Sequence, residues 1–194
     1  HDVVELRALL TGEPELPIRA TPGLGANVEL WMLGSSLFGA QLAAMLGMPY
    51  AFASHFAPDY LDQALETYRR QFRPSPWLDR PHVMAAMTVI AADDDEEAAL
   101  LATSMDQSFV ALRSGNPGRL KPPVPGYRAS LPPGQLAMLE HMRQASAVGG
   151  PEKVRADIAR FIERTAADEI IVSGATFDPA KRRRSLEITA RAIA

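Results

Sequence analysis

The chain has 194 residues, 47% of them hydrophobic, a net charge of −3 and no cysteine. Such a composition fills a sizeable core and excludes global disorder. The mild acidity gives no electrostatic case for nucleic acid or an anionic membrane surface, and the lack of cysteine excludes disulfides, thiolate metal sites and a cysteine nucleophile.

No apolar run reaches the roughly 18 residues of a spanning helix, and no signal peptide opens the chain, so a cytoplasmic protein without membrane contact is expected. His1–Leu10 carries Val3, Val4, Leu6, Leu9 and Leu10 near helical spacing and stops at Gly12. A chain that opens inside a helix is expected to have a counterpart upstream. A Pro/Gly-rich link follows, then the apolar run Val28–Leu33, which predicts a buried strand. Ser35–Leu46 predicts a helix dense in small residues, ended by Gly47. Met48–Ala53 predicts a second strand. Asp59 is expected to cap the next helix, whose Leu61, Ala64, Leu65, Tyr68 and Phe72 form one buried face. His82–Ala91 predicts the third strand, and Asp93–Asp95 open a long helix running to about Ser114. The Pro/Gly-rich segment Asn116–Pro133 has no periodicity and is expected to be mobile. Helix returns at Gly134–Ala145 and again from Pro151, with Val154, Ile158, Phe161 and Ile162 facing inward. Glu169–Ser173 is the fourth strand, and Asp178–Pro179 cap the last helix.

Alternating short buried strands and helices predict an α/β fold with a parallel sheet in a single domain over 1–194. A barrel and a doubly wound sheet both satisfy that pattern.

Two segments carry the candidate chemistry. In Trp31-Met-Leu-Gly-Ser-Ser-Leu-Phe-Gly, a strand ends at Gly34 and a helix begins after two hydroxyl residues. A helix N-terminus offers unpaired N–H groups to a phosphate, Ser35 and Ser36 add hydroxyls, and Gly34 lets backbone approach. Equally, Ser35 is an ordinary N-cap. Neither a P-loop nor a dinucleotide-binding glycine pattern is present. In Phe52-Ala-Ser-His-Phe-Ala-Pro, Ser54 and His55 leave the second strand at its carboxyl end, where parallel α/β folds bind ligands. His55 has the chemistry of a general base or of a hydrogen-bonding partner to a ligand oxygen, and also that of a structural histidine. No G-x-S-x-G elbow supports a hydrolase, and the scattered histidines suggest no metal. Asp93–Glu97 read as a helix-start charge run, and Lys181–Arg184 as a solvated face.

Taken together, WMLGSSLFGAQLAAMLGMPYAFASHFAP, ALETYRRQFRPS and VGGPEKVRADIARFIERTAADEIIV resemble the luciferase-like flavin-dependent monooxygenases along the whole chain. The resemblance implies the C-terminal half of a (β/α)8 TIM-type barrel, its four strands standing for the fifth to eighth. It implies reduced FMN supplied transiently by a separate flavin reductase, and oxygen insertion through a flavin peroxide into a small-molecule substrate. Gly34, Ser35 and Ser36 then match the flavin-phosphate turn. Ala53, Ser54 and His55 match the strand end beside the flavin ring, with His55 the catalytic candidate, and Asn116–Pro133 matches a lid. The alternatives are a non-catalytic flavin-binding protein and a remnant that only associates with a partner chain. Four strands cannot close a barrel, so a homo-oligomer, or association with the missing N-terminal half, is expected, with apolar surface of Val28–Leu33 and Val83–Ile90 exposed on the inward face.

Overall fold

The computed structural model describes residues 2–13, 16–26 and 28–193. They divide into two compact units, His1–Trp31 and Met32–Ala194. The first unit contains α1 (Asp2–Thr11), whose buried residue is Ala8, followed by turns in which Gly25 N–H donates to the Leu10 carbonyl at 2.7 Å. Residue 1 of the expected helix lies outside the described residues.

The second unit holds a five-stranded parallel sheet. In chain order its elements are β1 (Met32–Gly34), α2 (Leu37–Leu46), β2 (Tyr50–Phe52), α3 (Leu61–Gln71), β3 (Val83–Ala91), α4 (Asp95–Arg113), α5 (Pro133–Met142), β4 (Ser146–Gly149), α6 (Pro151–Thr165), β5 (Glu169–Ser173) and α7 (Pro179–Ile193). The four expected strands lie side by side in chain order, β1–β2–β3–β5, without the reversal of a doubly wound sheet. This is half of a (β/α)8 barrel.

Several boundaries differ from expectation. The first strand is Met32–Gly34 rather than Val28–Leu33, because its partner offers only three residues: Met32 pairs with Tyr50, and β2 cannot begin before the Gly47–Pro49 turn. Val28 is exposed. A fifth strand, β4, was hidden in the sequence Ser-Ala-Val-Gly. Thr88 pairs with Ser146 and also with Ser173, so β4 and β5 flank β3 on opposite edges. That places β4 (beside Thr88–Ala91) on the same edge as β2 (beside Val83–Ala85). The first turn of α2 starts at Leu37, leaving Ser36 extended at the N-cap. Asp59 does not cap α3; it sits in a 3-10 turn, Pro58–Tyr60, and pairs instead with His141 of α5. Ile162 of α6 is 40% exposed, one position round from the buried Phe161.

The core lies mainly between sheet and helices. Val83, Ala85, Met87, Val89 and Ala91 of β3 join Ala40, Ala43 and Ala44 of α2, Leu61, Leu65 and Tyr68 of α3, Val154, Ile158 and Phe161 of α6 and Ile188 of α7. On the opposite face, Ile90 packs with Ala98, Leu101 and Ala102 of α4. This contact overturns the expected exposure of Val83–Ile90: β3 is buried on both faces, because α4 folds back over its carboxyl half. The inward face is open elsewhere, at Leu33 (70% exposed) and Ile171 (52%).

Buried polar groups tie these layers together. The Tyr68 hydroxyl donates to the Met48 carbonyl at 2.8 Å and accepts from His82 N–H at 3.1 Å. Ala91 N–H donates to Ser185 Oγ of α7 at 2.8 Å. Arg69 donates to the carbonyls of Thr165 and Ala166 at 2.7 Å each, closing the C-terminus of α6. Among the described residues no helix is long and apolar enough to cross a membrane.

Candidate functional site

The candidate residues collect at the carboxyl edge of the sheet. Ala53 N–H donates to the Gly34 carbonyl at 2.9 Å, so the segment after β1 and the segment after β2 are adjacent. The six sequence candidates, Gly34, Ser35, Ser36, Ala53, Ser54 and His55, therefore lie on two neighbouring turns.

On the first turn, Ser36 is extended (φ −140°, ψ 164°) and its side chain makes no capping hydrogen bond. The first N–H groups of α2 have no intrahelical acceptor, and no acidic residue occupies the first turn. Gly34 and Gly39 approach closely: a Cβ added to Gly34 would lie 3.7 Å from Gly39 Cα. The Tyr50 hydroxyl donates to the Ser36 carbonyl at 3.3 Å and steadies the turn from below. Bare backbone, two neighbouring hydroxyls and the positive end of α2 match what a phosphate monoester needs.

On the second turn the strand stops at Phe52. Ser54 is fully buried, and its hydroxyl donates to the Ala86 carbonyl of β3 at 2.5 Å. It fills the gap on that edge of β3 between β2 and β4. Ser54 thus serves the sheet with its side chain, so its place in a ligand site rests on backbone alone.

His55 follows and points into a cavity of about 50 Å³ between β3, β4, α4 and α5. Met105, Phe109, Leu139 and Met142 give its apolar wall; Thr88, Asp106, Arg143 and Ser146 give its polar one. A contact between Asp59 and His141 Nε2 ties the segment after β2 to α5. His55 Nδ1 is shut off from solvent and makes no hydrogen bond among the described residues. Burial pulls its imidazole below the ordinary 6.5. A neutral ring can accept or donate a proton, whereas an imidazolium can only donate. We expect NMR titration of His55 to give a pKa below 6.5. Because the folded value is depressed, the unfolded chain binds more protons just below pH 6.5, and folding stability contributed by this group declines as pH falls through that window. A pKa above 6.5 would show that the ring is not desolvated.

Sequence reasoning missed the charges behind this cavity. Asp106 of α4 is 6% exposed and accepts two hydrogen bonds from Arg143 Nη2, at 3.0 and 3.2 Å. Arg128 Nη1 lies 3.7 Å from the same carboxylate. Burial raises the Asp106 carboxyl above the ordinary carboxylate range, with Arg143 and then Arg128 opposing that rise. These residues are far apart in sequence, but Thr103, Asp106 and Gln107 share one helical face, a pattern that was available.

Residues 6–169 match the family described as luciferase-like monooxygenase. The uncharacterised protein YvbT of Bacillus subtilis (strain 168) is 47% identical over 180 residues, covering 93% of this chain and 54% of that protein. The crystal structure of apo-MsnO8 superposes with a TM-score of 0.88 at 28% identity, over 98% of this chain and 58% of that one. A more distant solved structure shares the fold: the oxygenating constituent of 3,6-diketocamphane monooxygenase from Pseudomonas putida, in complex with FMN. Its TM-score is 0.56 at 21% identity, over 86% of this chain and 48% of that one. The chain spans about half the length of the curated relatives it matches. With the strand order of a half-barrel and a family match across most of its length, this chain belongs to the luciferase-like monooxygenase family.

Proposed function

We propose that this chain is the flavin-phosphate-binding half of an FMN-dependent monooxygenase acting on a small organic substrate. One observation carries the reading: the hydrogen bond from Ala53 to Gly34 sets a bare helix N-terminus beside the turn that carries His55. An anchored phosphate at Gly34, Ser35 and Ser36 would leave the rest of a flavin to run along the carboxyl edge past Ala53 and Ser54. His55, neutral and desolvated, would face the ligand as a proton acceptor or hydrogen-bond partner. When bound, the flavin supplies the redox and oxygen chemistry; the protein holds it, orients substrate and excludes water. Support comes also from the FMN held by the diketocamphane enzyme, which shares this fold. Reduced FMN would come from a separate reductase, and the open sheet would be completed by another chain.

Oxygen uptake tests the reading. With NADH, FMN and a flavin reductase, the protein together with its barrel-completing half should consume oxygen in proportion to an oxidised organic product. Flavin binding without any substrate-coupled uptake, across aldehydes, ketones and sulfonates, would leave a flavin carrier and end the monooxygenase reading.

A further inference from the structure

The segment between α4 and α5 has little regular structure, only a 3-10 turn at Tyr127–Ser130. Three of its side-chain ties to the rest of the unit meet one helix face. Gln107 Nε2 donates to the Pro122 carbonyl at 2.8 Å, and Val124 N–H donates to Thr103 Oγ1 at 2.9 Å. Arg128 reaches Asp106. Thr103, Asp106 and Gln107 stand at i, i+3 and i+4, so α4 presents them as a single strip.

Asp106 differs from its two neighbours on that strip because it also faces the other way. Arg143, at the end of α5, is held by two hydrogen bonds to the Asp106 carboxylate and forms part of the wall of the His55 cavity. Arg128 has no comparable grip. Its Nη1 is buried without a hydrogen bond, and its Nη2 is engaged by Glu140 of α5. One buried carboxylate therefore meets two guanidinium groups, Arg143 hydrogen-bonded to it and Arg128 facing it at 3.7 Å while hydrogen-bonded to Glu140. Two cations, Arg128 and Arg143, and two carboxylates, Asp106 and Glu140, make up the cluster; Tyr127 of the segment and His55 across the cavity are its titratable neighbours.

We propose that Asp106 is a positioning residue that couples the seating of the 116–131 segment, through Arg128, to the shape of the His55 cavity, through Arg143. The coupling stands independently of the flavin reading. Breaking the Arg128 contact frees the segment. Breaking the Arg143 contact moves the cavity wall. Only loss of the Asp106 charge does both.

Four variants separate these effects in the purified chain, read by hydrogen exchange of peptides from 116–131 and by the NMR resonances of the His55 ring. Arg128→Met should speed exchange in the segment about tenfold, the worth of one modest polar contact, and leave His55 unmoved. Arg143→Met should shift the His55 resonances and leave segment exchange unchanged. Asp106→Asn should do both, and Asp106→Glu, which keeps the charge, should restore much of the protection. Both arginines are partly exposed, so their variants decide the matter even if Asp106→Asn does not fold. Segment exchange unchanged in Arg128→Met, or His55 unmoved in Arg143→Met, overturns the proposal. An Asp106→Asn chain that folds and changes only one readout overturns the coupling.

Discussion

Gly47→Ala is expected to destabilise the chain by about 3 kcal/mol, combining left-handed strain with overpacking. Gly47 ends α2 at φ +60°, in the region that L side chains avoid, and its N–H closes the helix onto the Ala44 carbonyl. An added Cβ would lie 2.5 Å from both the Arg73 carbonyl oxygen and Ser75 Cβ. The first of these is backbone and cannot swing away. The same turn accepts a 2.8 Å hydrogen bond from Ser75 Oγ at the Gly47 carbonyl, so yielding there costs a second contact. Gly115→Ala is the control: its φ is +75°, but nothing lies within 4 Å of the added carbon. It should cost only about 1 kcal/mol, the strain alone. Urea unfolding of both variants measures the difference. Equal losses would mean that the Gly47 turn relaxes freely and is not packed tightly against the Arg73–Ser75 segment that follows α3.

The second large effect is association. Among the described residues β1 pairs only with β2, and β5 only with β3, so each leaves a row of backbone groups on its outer edge. Leu33 and Ile171 stand exposed on the face that a closed barrel would bury. Unpaired edges flanking apolar surface recruit further strands. At tens of micromolar the chain alone should therefore sediment as a dimer or larger assembly. Leu33→Glu with Ile171→Lys should shift it toward monomer without loss of folding, since neither residue lies in the core. A monodisperse monomer of the unmodified chain at every concentration would contradict this expectation.

The fold was legible where periodicity is strong and poorly legible where pairing decides. The buried stripe Leu61–Ala64–Leu65–Tyr68 announces α3 through its spacing alone, and the apolar run of β3 announces a strand, though its burial on both faces depends on α4 and was not foreseen. Gly150 and Pro151 mark the start of α6 in the same local way. By contrast, β1 is short because β2 is short, and that is a property of the pair. β4 consists of Ser, Ala, Val and Gly, which carry little strand propensity; it exists because Thr88–Ala91 offer a free edge above β2. The site divides similarly. Ser35, Ser36 and His55 were visible because each follows a strand directly, and the carboxyl ends of parallel strands are where ligands bind. Ser54 was visible too, but its buried hydroxyl turns inward to Ala86. Asp106 and Arg143 were missed: the strip of Thr103, Asp106 and Gln107 is legible by spacing, but a charged residue in a long helix reads as solvated until tertiary structure buries it, and nothing local pairs Asp106 with Arg143.

The central claim, a flavin phosphate held at the start of α2, is tested most directly by equilibrium titration of the protein with FMN and with riboflavin, which lacks the phosphate. Wild type should bind FMN more tightly than riboflavin. Ser35→Ala/Ser36→Ala should weaken FMN binding by about 2 kcal/mol, roughly 1 for each hydroxyl, and leave riboflavin binding nearly unchanged. FMN affinity equal in wild type and the double variant would contradict the assignment of the phosphate to Gly34–Ser36.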